Sequence, residues 1–172
     1  TKELDRALIN GDIDFAVHSM KDVETIRPTE LEIVAMLPRA DARDRLIGVD
    51  RLADLPTGAR IGTSAPRRTA QLLRARPDLK IVLFRGNVAT RLSKLDAGDA
   101  DATLLAAAGL DRLGMTDIGT PIEMAEMLPA PAQGAVGIEA LASNDLVRPL
   151  LQAINDSPTF ACVMAERAFL AR

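Results

Sequence analysis

Short β-branched or apolar segments alternate with helical patterns along the chain, and this alternation limits the fold more than any other feature. Strand patterns occupy residues 13–17, 31–36, 46–49, 60–63, 80–84, 102–106 and 135–139. Helical patterns occupy residues 1–10, 66–76, 88–97, 146–155 and 158–172. Such an order is typical of an α/β fold with a largely parallel or mixed sheet.

Two polar or proline-containing segments interrupt the pattern and predict hinges. Residues 38–44 are charged and lie between two strand patterns, and residues 129–134 contain two prolines and a glycine. Two hinges that bracket residues 45–128 predict one lobe inserted into another, with the chain crossing twice.

Composition excludes several classes of protein. The 172 residues are 48% hydrophobic and 26% charged, which is the balance of a folded globular chain. No apolar run approaches the roughly 18 residues that a membrane span needs. One cysteine and one histidine argue against a disulfide framework and against a zinc site, and they favour the cytosol. Because the chain opens at Thr1 and closes at Arg172 inside helical patterns, we expect an internal part of a longer protein.

Basic residues are concentrated between residues 60 and 94. That stretch holds nine cations and one acid, a local charge of +8. Because the net charge of the chain is −3, the remaining residues together carry −11. A positive field of this kind concentrates anionic ligands. The chain has no tryptophan or tyrosine and four phenylalanines, so it lacks stacking platforms for single-stranded nucleic acid. We therefore expect a small, multiply charged anion.

Two strand-to-helix turns within this stretch predict the anion site. The segment GTSAPRR at 62–68 enters a helix at Pro66, with Thr63 or Ser64 as its expected cap. The segment FRGN at 84–87 repeats the arrangement with Asn87 as the cap. Free N–H groups at helix N-termini bind anions, and arginines add bidentate donors. The expected anion ligands are Arg67, Arg68, Arg85 and Arg91. The alternative is an ordinary solvated basic face, which we expect for Arg74, Arg76 and Lys80.

One acidic residue follows a strand in a comparable place. Asp22 ends the segment VHSMKD at 17–22 and would be the odd charge in a basic pocket, where neighbouring cations would keep it ionised. A fixed carboxylate stabilises a developing cation; the alternative is a loop aspartate in a local turn. We expect His18 to be a hydrogen-bonded structural histidine and Cys162 to be a core thiol.

These motifs, in this order, resemble the porphobilinogen deaminase (hydroxymethylbilane synthase) family. The resemblance extends over essentially all 172 residues and is carried by VHSMKD at 17–22, GTS at 62–64 followed by Arg67-Arg68, LFRGNV at 83–88, TRL at 90–92 and QGAVGIE at 133–139. It implies a cytoplasmic, monomeric transferase that condenses four porphobilinogen molecules head to tail into hydroxymethylbilane, with release of ammonia, for haem and other tetrapyrroles. It implies no nucleic-acid, membrane or metal partner.

The resemblance also implies roles for individual residues. Asp22 would be the catalytic carboxylate. A covalent dipyrromethane cofactor would contact Ser19, Lys21, Thr63, Arg67, Arg68, Arg85, Asn87 and Gln133. The substrate's carboxylates would contact Arg91 and Arg112. The cysteine that attaches the cofactor is expected a few residues beyond Arg172, so it is absent from this chain, and attachment is not assigned to Cys162.

The implied fold has two lobes like type 2 periplasmic binding proteins, joined by a double crossover, and the first helix of a third, α+β domain. Domain 1 would span residues 1–40 and return at 129–154, domain 2 would span 41–128, and domain 3 would begin at 155–172. Ala65 and Ala132 replace the serine and glycine usual in the family. We expect this chain alone to be inactive. The alternative from another class is a two-lobed binding module for a small polyanionic solute.

Overall fold

The computed structural model describes residues 2–171 and contains six helices and eight strands in that range. In chain order they are α1 (Lys2–Asn10), β1 (Phe15–Ser19), β2 (Leu31–Met36), β3 (Asp44–Ile47), β4 (Arg60–Gly62), α2 (Pro66–Ala75), β5 (Lys80–Val82), α3 (Val88–Asp96), β6 (Ala102–Ala106), α4 (Ala107–Arg112), β7 (Thr120–Pro121), β8 (Val136–Leu141), α5 (Arg148–Gln152) and α6 (Ser157–Leu170). Short 3₁₀ turns lie at Met20–Asp22 and Leu52–Asp54.

The chain forms two compact units. Unit 1 comprises the described residues up to Ala42 and from Pro131 onward, and unit 2 is the continuous stretch Arg43–Ala130. Each break falls inside one of the two segments predicted as hinges. Both breaks lie two residues later than the domain boundaries that the family resemblance implies.

Unit 1 is built on a three-stranded antiparallel sheet. β8 lies between β1 and β2 and pairs antiparallel with both. Side chains of β1 alternate between the two faces, so Ala16 and His18 are buried and Ser19 is exposed. The mixed sheet expected from the sequence is found in unit 2, whereas the described part of unit 1 has an antiparallel sheet. The reason is that the return segment supplies the central strand and runs opposite to both neighbours.

Helices complete the core of unit 1. Val163 of α6 is fully buried in a cluster with Met20, Ile33 and Met36. Leu8 of α1 and other apolar side chains fill the adjoining clusters. The assignment of α6 to a further domain stays a prediction.

Unit 2 contains a mixed five-stranded sheet in the order β5-β4-β6-β3-β7. β4 is parallel to β5 and β6, while β3 is antiparallel to β6 and β7. The core includes Leu46, Ile61, Leu72 and Leu104, each at most 1% exposed. The carboxyl ends of β4, β5 and β6 meet at one edge, called here the binding edge, where the loops into α2, α3 and α4 begin.

Several expected elements differ in detail from the structure. The expected strands 13–17, 46–49 and 135–139 are displaced by one to two residues, and the helix expected at 146–155 is only Arg148–Gln152. α4 and β7 are not predicted. α4 follows β6 with no turn residue between them, and β7 has two residues, too few for an alternating pattern.

No helix in the described range, 2–171, is long and apolar enough to cross a bilayer. Nor does any group of three His, Cys, Asp or Glu side chains within 2–171 form a candidate metal site.

Candidate functional site

The VHSMKD segment forms an anchored turn at the end of β1. Met20 is 1% exposed, and its N–H donates to the carbonyl oxygen of Ala135 at 3.1 Å. The next two side chains, Lys21 and Asp22, are exposed. Burial of Met20 therefore fixes the backbone of the turn while the carboxylate of Asp22 faces solvent. Ser19, the last residue of β1, is exposed as well.

A buried ionic network lies directly behind this turn. Glu139 of β8 is fully buried, and its Oε2 lies 3.0 Å from Nε2 of His18. Arg27 donates to both carboxylate oxygens of Glu139, from Nε at 2.8 Å and from a terminal nitrogen at 2.7 Å. It also forms a two-point pair with Asp5 of α1. The hydrogen-bonded structural histidine expected at position 18 is confirmed.

The charged groups of this network shift the pKa values of Asp5 and Arg27 toward the ionised forms. The hydrogen bonds from Arg27 outweigh burial and lower the pKa of Asp5 below its usual 3.8. Burial opposes the charge of Arg27, yet the hydrogen bonds to Asp5 and Glu139 raise its pKa. The sequence did not identify Arg27 or Asp5 as partners. The available signal was Glu139 itself, because an acid in an otherwise apolar strand requires a buried cation.

Gln133, expected to contact the cofactor, is 1% exposed and donates through Nε2 to the carbonyl oxygen of Ala42 at 2.6 Å. Beside it, Arg39 donates to the carbonyl oxygen of Gln133 and pairs with Glu166 of α6. Glu166 also accepts from the N–H of Ala132. α6 therefore holds both unit 1 segments that flank the breaks between units.

Ala132 adopts a φ of 61°, in the left-handed region that favours glycine. Glycine adopts this conformation without a steric cost, so the backbone would accept glycine at this position.

The first turn of the binding edge differs from the expected cap. Thr63 is 1% exposed, and its Oγ1 accepts from the N–H of Ala65 at 3.2 Å. The N-cap of α2 is Ala65, which makes no side-chain cap, so the prediction of Thr63 or Ser64 as cap is wrong. The threonine instead closes a local turn two residues ahead of it, and Pro66 begins the helix.

Arg67 and Arg68 meet at a buried carboxylate that the sequence did not indicate. Asp44, at the start of β3, is 2% exposed and accepts from a terminal nitrogen of each arginine at 2.7 Å. Burial opposes its ionisation, but the hydrogen bonds and charges of Arg68 and Arg67 outweigh burial and lower its pKa. Arg67 and Arg68, two of the four arginines predicted to bind an anionic ligand, therefore both donate to a carboxylate of the protein itself.

The second turn of the binding edge, which leads into α3, carries Arg85 and Arg91, the arginines of this edge that make the fewest hydrogen bonds within residues 2–171. Asn87 caps α3, as predicted, by accepting from the N–H of Thr90 at 2.9 Å. Gly86 has a φ of +115°, and a Cβ there would lie 2.8 Å from Thr90, so only glycine fits. Arg85 is exposed, and Arg91 is half-buried with Nε donating to the carbonyl oxygen of Gly86 at 2.9 Å. Desolvation, then the charge of Arg68, lowers the pKa of Arg91.

The remaining predicted cations are more dispersed. Arg112 is exposed at the last position of α4. Arg76, expected on a solvated face, is half-buried; it pairs with Asp78 and donates to carbonyl oxygens of the loop around Leu52. Cys162, expected in the core, is exposed, so that prediction is wrong. The binding edge thus gathers Thr63, Arg67, Arg68, Arg85, Asn87 and Arg91, whereas the turn after β1 gathers Ser19, Lys21 and Asp22.

Two solved structures, one of them a periplasmic substrate-binding protein, share this fold. A periplasmic substrate-binding protein of an ABC transporter from Coxiella burnetii is 17% identical, with a TM-score of 0.57 over 94% of this chain and 79% of that one. The VFT2 domain of Bordetella pertussis BvgS, with two substitutions, gives 15% identity and a TM-score of 0.51 over 96% and 72%. The fold is therefore of the type 2 periplasmic-binding-protein class.

Sequence relatives define the family within that class. The family model described as "Porphobilinogen deaminase, dipyromethane cofactor binding domain" matches residues 1–148. Porphobilinogen deaminases of Sphingopyxis alaskensis and Paracoccus denitrificans are 58% and 51% identical over 99% and 100% of this chain. The chain covers 56% of the length of each. This chain belongs to the porphobilinogen deaminase family.

Proposed function

We propose that the complete protein containing this chain is a hydroxymethylbilane synthase, a transferase of haem and tetrapyrrole biosynthesis. It would join four porphobilinogen molecules head to tail and release one ammonia for each. The observation that carries the proposal is family membership across residues 1–148, together with the arginines of the binding edge. Porphobilinogen and its oligomers bear several carboxylates, which suit guanidinium donors.

The donor set of the binding edge fits a polycarboxylate cofactor such as dipyrromethane. Within residues 2–171, the structure gives no carboxylate partner to the guanidinium of Arg85 or of Arg91. We assign these two arginines and Arg67 to carboxylates of cofactor or substrate, with Asn87 and Thr63 shaping the turns between them. Arg112 remains a candidate ligand for the same groups, as do Ser19, Lys21 and Gln133 in unit 1, while all three nitrogens of Arg68 already donate within unit 2. When bound, dipyrromethane supplies the terminal pyrrole to which the first substrate unit is joined.

Asp22 is the candidate catalytic residue. Its exposed carboxylate has no hydrogen-bond partner in the described part of the chain, so it can accept from a pyrrole N–H. A carboxylate held there stabilises the positive charge that develops on porphobilinogen as ammonia leaves. The buried Met20 keeps the turn in place during that step.

A test of Asp22 uses the complete protein and one matched control. Asp22→Asn should lower kcat by about 10²–10³, the usual loss when one electrostatic stabiliser is removed, and leave KM within threefold. Asp14→Asn removes an exposed carboxylate from the same unit, just before β1, and should change neither constant by more than about twofold. Release of ammonia from porphobilinogen is the measurement. Wild-type turnover by Asp22→Asn would refute the assignment.

Intact mass separates the proposal from the alternative, a binding module for a small polyanionic solute, with which the fold is also compatible. The enzyme should show a mass excess equal to one dipyrromethane and release ammonia. A binding module should bind porphobilinogen reversibly, with no mass excess and no turnover. We further propose that the complete protein is a cytoplasmic monomer that acts without nucleic acid, membrane or metal.

A further inference from the structure

We propose that Asp44 is the positioning residue of the binding edge, which commits Arg68 to the scaffold and presents Arg67 to bound carboxylates. This inference rests on the proposed function and deepens it, because it divides the two adjacent arginines between different tasks. The contacts, the burial and the net charge of this triad each support the division.

Asp44 is placed where the strands of unit 2 converge. It begins β3 and lies in register with Ala106, the last residue of β6, so it sits at the binding edge itself. Its Oδ1 accepts from a terminal nitrogen of Arg68, and its Oδ2 accepts from Nε of Arg68 at 3.2 Å and from a terminal nitrogen of Arg67 at 2.7 Å. Both oxygens are therefore occupied by arginine donors.

The two arginines are engaged to different degrees. Arg68 has a side chain only 6% exposed, and besides its two bonds to Asp44 it donates to the carbonyl oxygen of Leu104 at 3.0 Å. All three of its nitrogens are thus directed into the protein. Arg67 has a side chain 23% exposed and binds Asp44 through a single nitrogen and the carbonyl oxygen of Leu128 through another. Within residues 2–171 the structure gives no partner to its Nε, which can donate to a ligand together with the remaining hydrogens of the terminal nitrogens.

Charge explains why a carboxylate belongs among cations that bind anions. A buried Arg68 without a counter-ion would carry a large desolvation cost, and adjacent guanidinium groups repel each other. Asp44 removes both problems and leaves the triad with a net charge of +1. The pKa of Asp44 is lowered by these arginines, so the carboxylate remains ionised at neutral pH.

A positioning role and a simple counter-ion role predict opposite effects of neutralising Asp44. If Asp44 served only as a counter-ion, its removal would raise the positive charge of the edge and tighten the binding of carboxylates. If Asp44 positions the arginines, its removal should weaken binding, because both guanidinium groups lose their fixed orientation. The sign of the change in KM therefore separates the two roles.

The experiment compares Asp44→Asn with wild type in the complete protein. We expect KM for porphobilinogen to rise about tenfold, the effect of losing one charge-assisted hydrogen bond, while kcat of the cofactor-loaded fraction stays within about threefold. Intact mass should show a smaller fraction of protein carrying the cofactor. Asp44→Glu, which keeps the charge, should recover part of both losses. A KM equal to or below that of wild type, with full cofactor loading, would overturn the inference.

Asp101→Asn is the matched control. It removes a carboxylate that pairs with Arg60 in the same unit, at the opposite edge of the sheet, where β6 begins. It should leave KM and cofactor loading unchanged within about twofold, since exposed pairs contribute little. An equal rise in KM for this control would mean that the effect is not specific to Asp44, against the inference.

Lysine substitutions keep the inference testable if Asp44→Asn does not fold. Arg68→Lys should lower the melting temperature by several degrees, because lysine cannot make its three contacts. Arg67→Lys should leave the melting temperature within about two degrees of wild type and raise KM. The reverse pattern would refute the division of tasks. Absence of ammonia release in wild type would instead refute the proposed function.

Discussion

Replacing Glu139 by glutamine removes one buried negative charge and keeps the side chain's shape. Glu139 is fully buried and accepts two hydrogen bonds from Arg27, at 2.7 and 2.8 Å. Hydrogen bonds to charged groups contribute about 1.5–3 kcal/mol each. Glutamine keeps one acceptor and no longer requires burial of a charge, which offsets part of the loss. We therefore expect Glu139→Gln to destabilise unit 1 by about 3 kcal/mol.

The assay is urea unfolding of this chain, followed by far-ultraviolet circular dichroism because it contains no tryptophan or tyrosine. At about 2–4 °C per kcal/mol for a chain of this size, the melting temperature should fall by roughly 6–12 °C. Glu32→Gln is the control, since Glu32 lies on the neighbouring strand and pairs with Arg148 in an exposed position; it should cost less than about 1 kcal/mol.

A double variant tests the cause of the loss. In Arg27→Gln/Glu139→Gln, the destabilisation should be smaller than the sum of the two single losses, because both changes remove the same Arg27–Glu139 interaction. Strict additivity, or a loss from Glu139→Gln no larger than that from Glu32→Gln, would refute the reasoning.

Three further outcomes are expected. The pKa values of Asp44, Asp5 and Glu166 are lowered in the folded chain, so the unfolded chain takes up protons at a higher pH than the folded chain does. The free energy of unfolding should therefore be retained above about pH 4 and fall as the pH drops below it. Urea unfolding at a series of pH values checks this, and Asp44→Asn should make the free energy of unfolding less dependent on pH. Asn87→Ala should cost about 1 kcal/mol through loss of the α3 cap, whereas Asn87→Asp should cost little, as thermal unfolding would show. Ala132→Gly should change stability by less than about 1 kcal/mol in the same assay, because relief of the left-handed backbone offsets the lost methyl group and added chain entropy.

Each of the three has a contrary result. Unchanged stability between pH 5 and about 3 would show that these carboxylates are not stabilised by their arginines. An Asn87→Ala variant as stable as wild type would mean that α3 does not need its cap. A loss above about 2 kcal/mol in Ala132→Gly would show that the buried methyl group matters more than the backbone conformation.

Local chemistry made part of the candidate site predictable from sequence. Asn87 follows a strand and precedes a helical pattern, and its cap depends only on Thr90, three residues away. Pro66 marks the start of α2 for the same reason. The turn that carries Asp22 follows directly from the end of β1. Such features depend on neighbours in the sequence, so residue types and their spacing were sufficient.

Long-range pairing made the rest unpredictable. Arg68 and Asp44 are 24 residues apart, and Arg27 and Glu139 are 112 apart, so no local pattern relates them. The sequence placed Arg68 correctly at a helix start but could not show that its charge is spent on an internal carboxylate. The antiparallel sheet of unit 1 was missed because the central strand comes from a distant segment.

That central strand also sets an order of events during synthesis. Among residues 2–171, β1 and β2 do not pair with each other, and each pairs with β8, whose first residue lies 117 positions beyond the end of β1. At about 5–20 residues per second, both strands wait for seconds for β8 while all of unit 2 is made. Unit 2 is continuous and can close its own sheet in that interval. The pairing of residues 15–36 with β8 therefore depends on a contact that forms late, and until then these two strands can mispair.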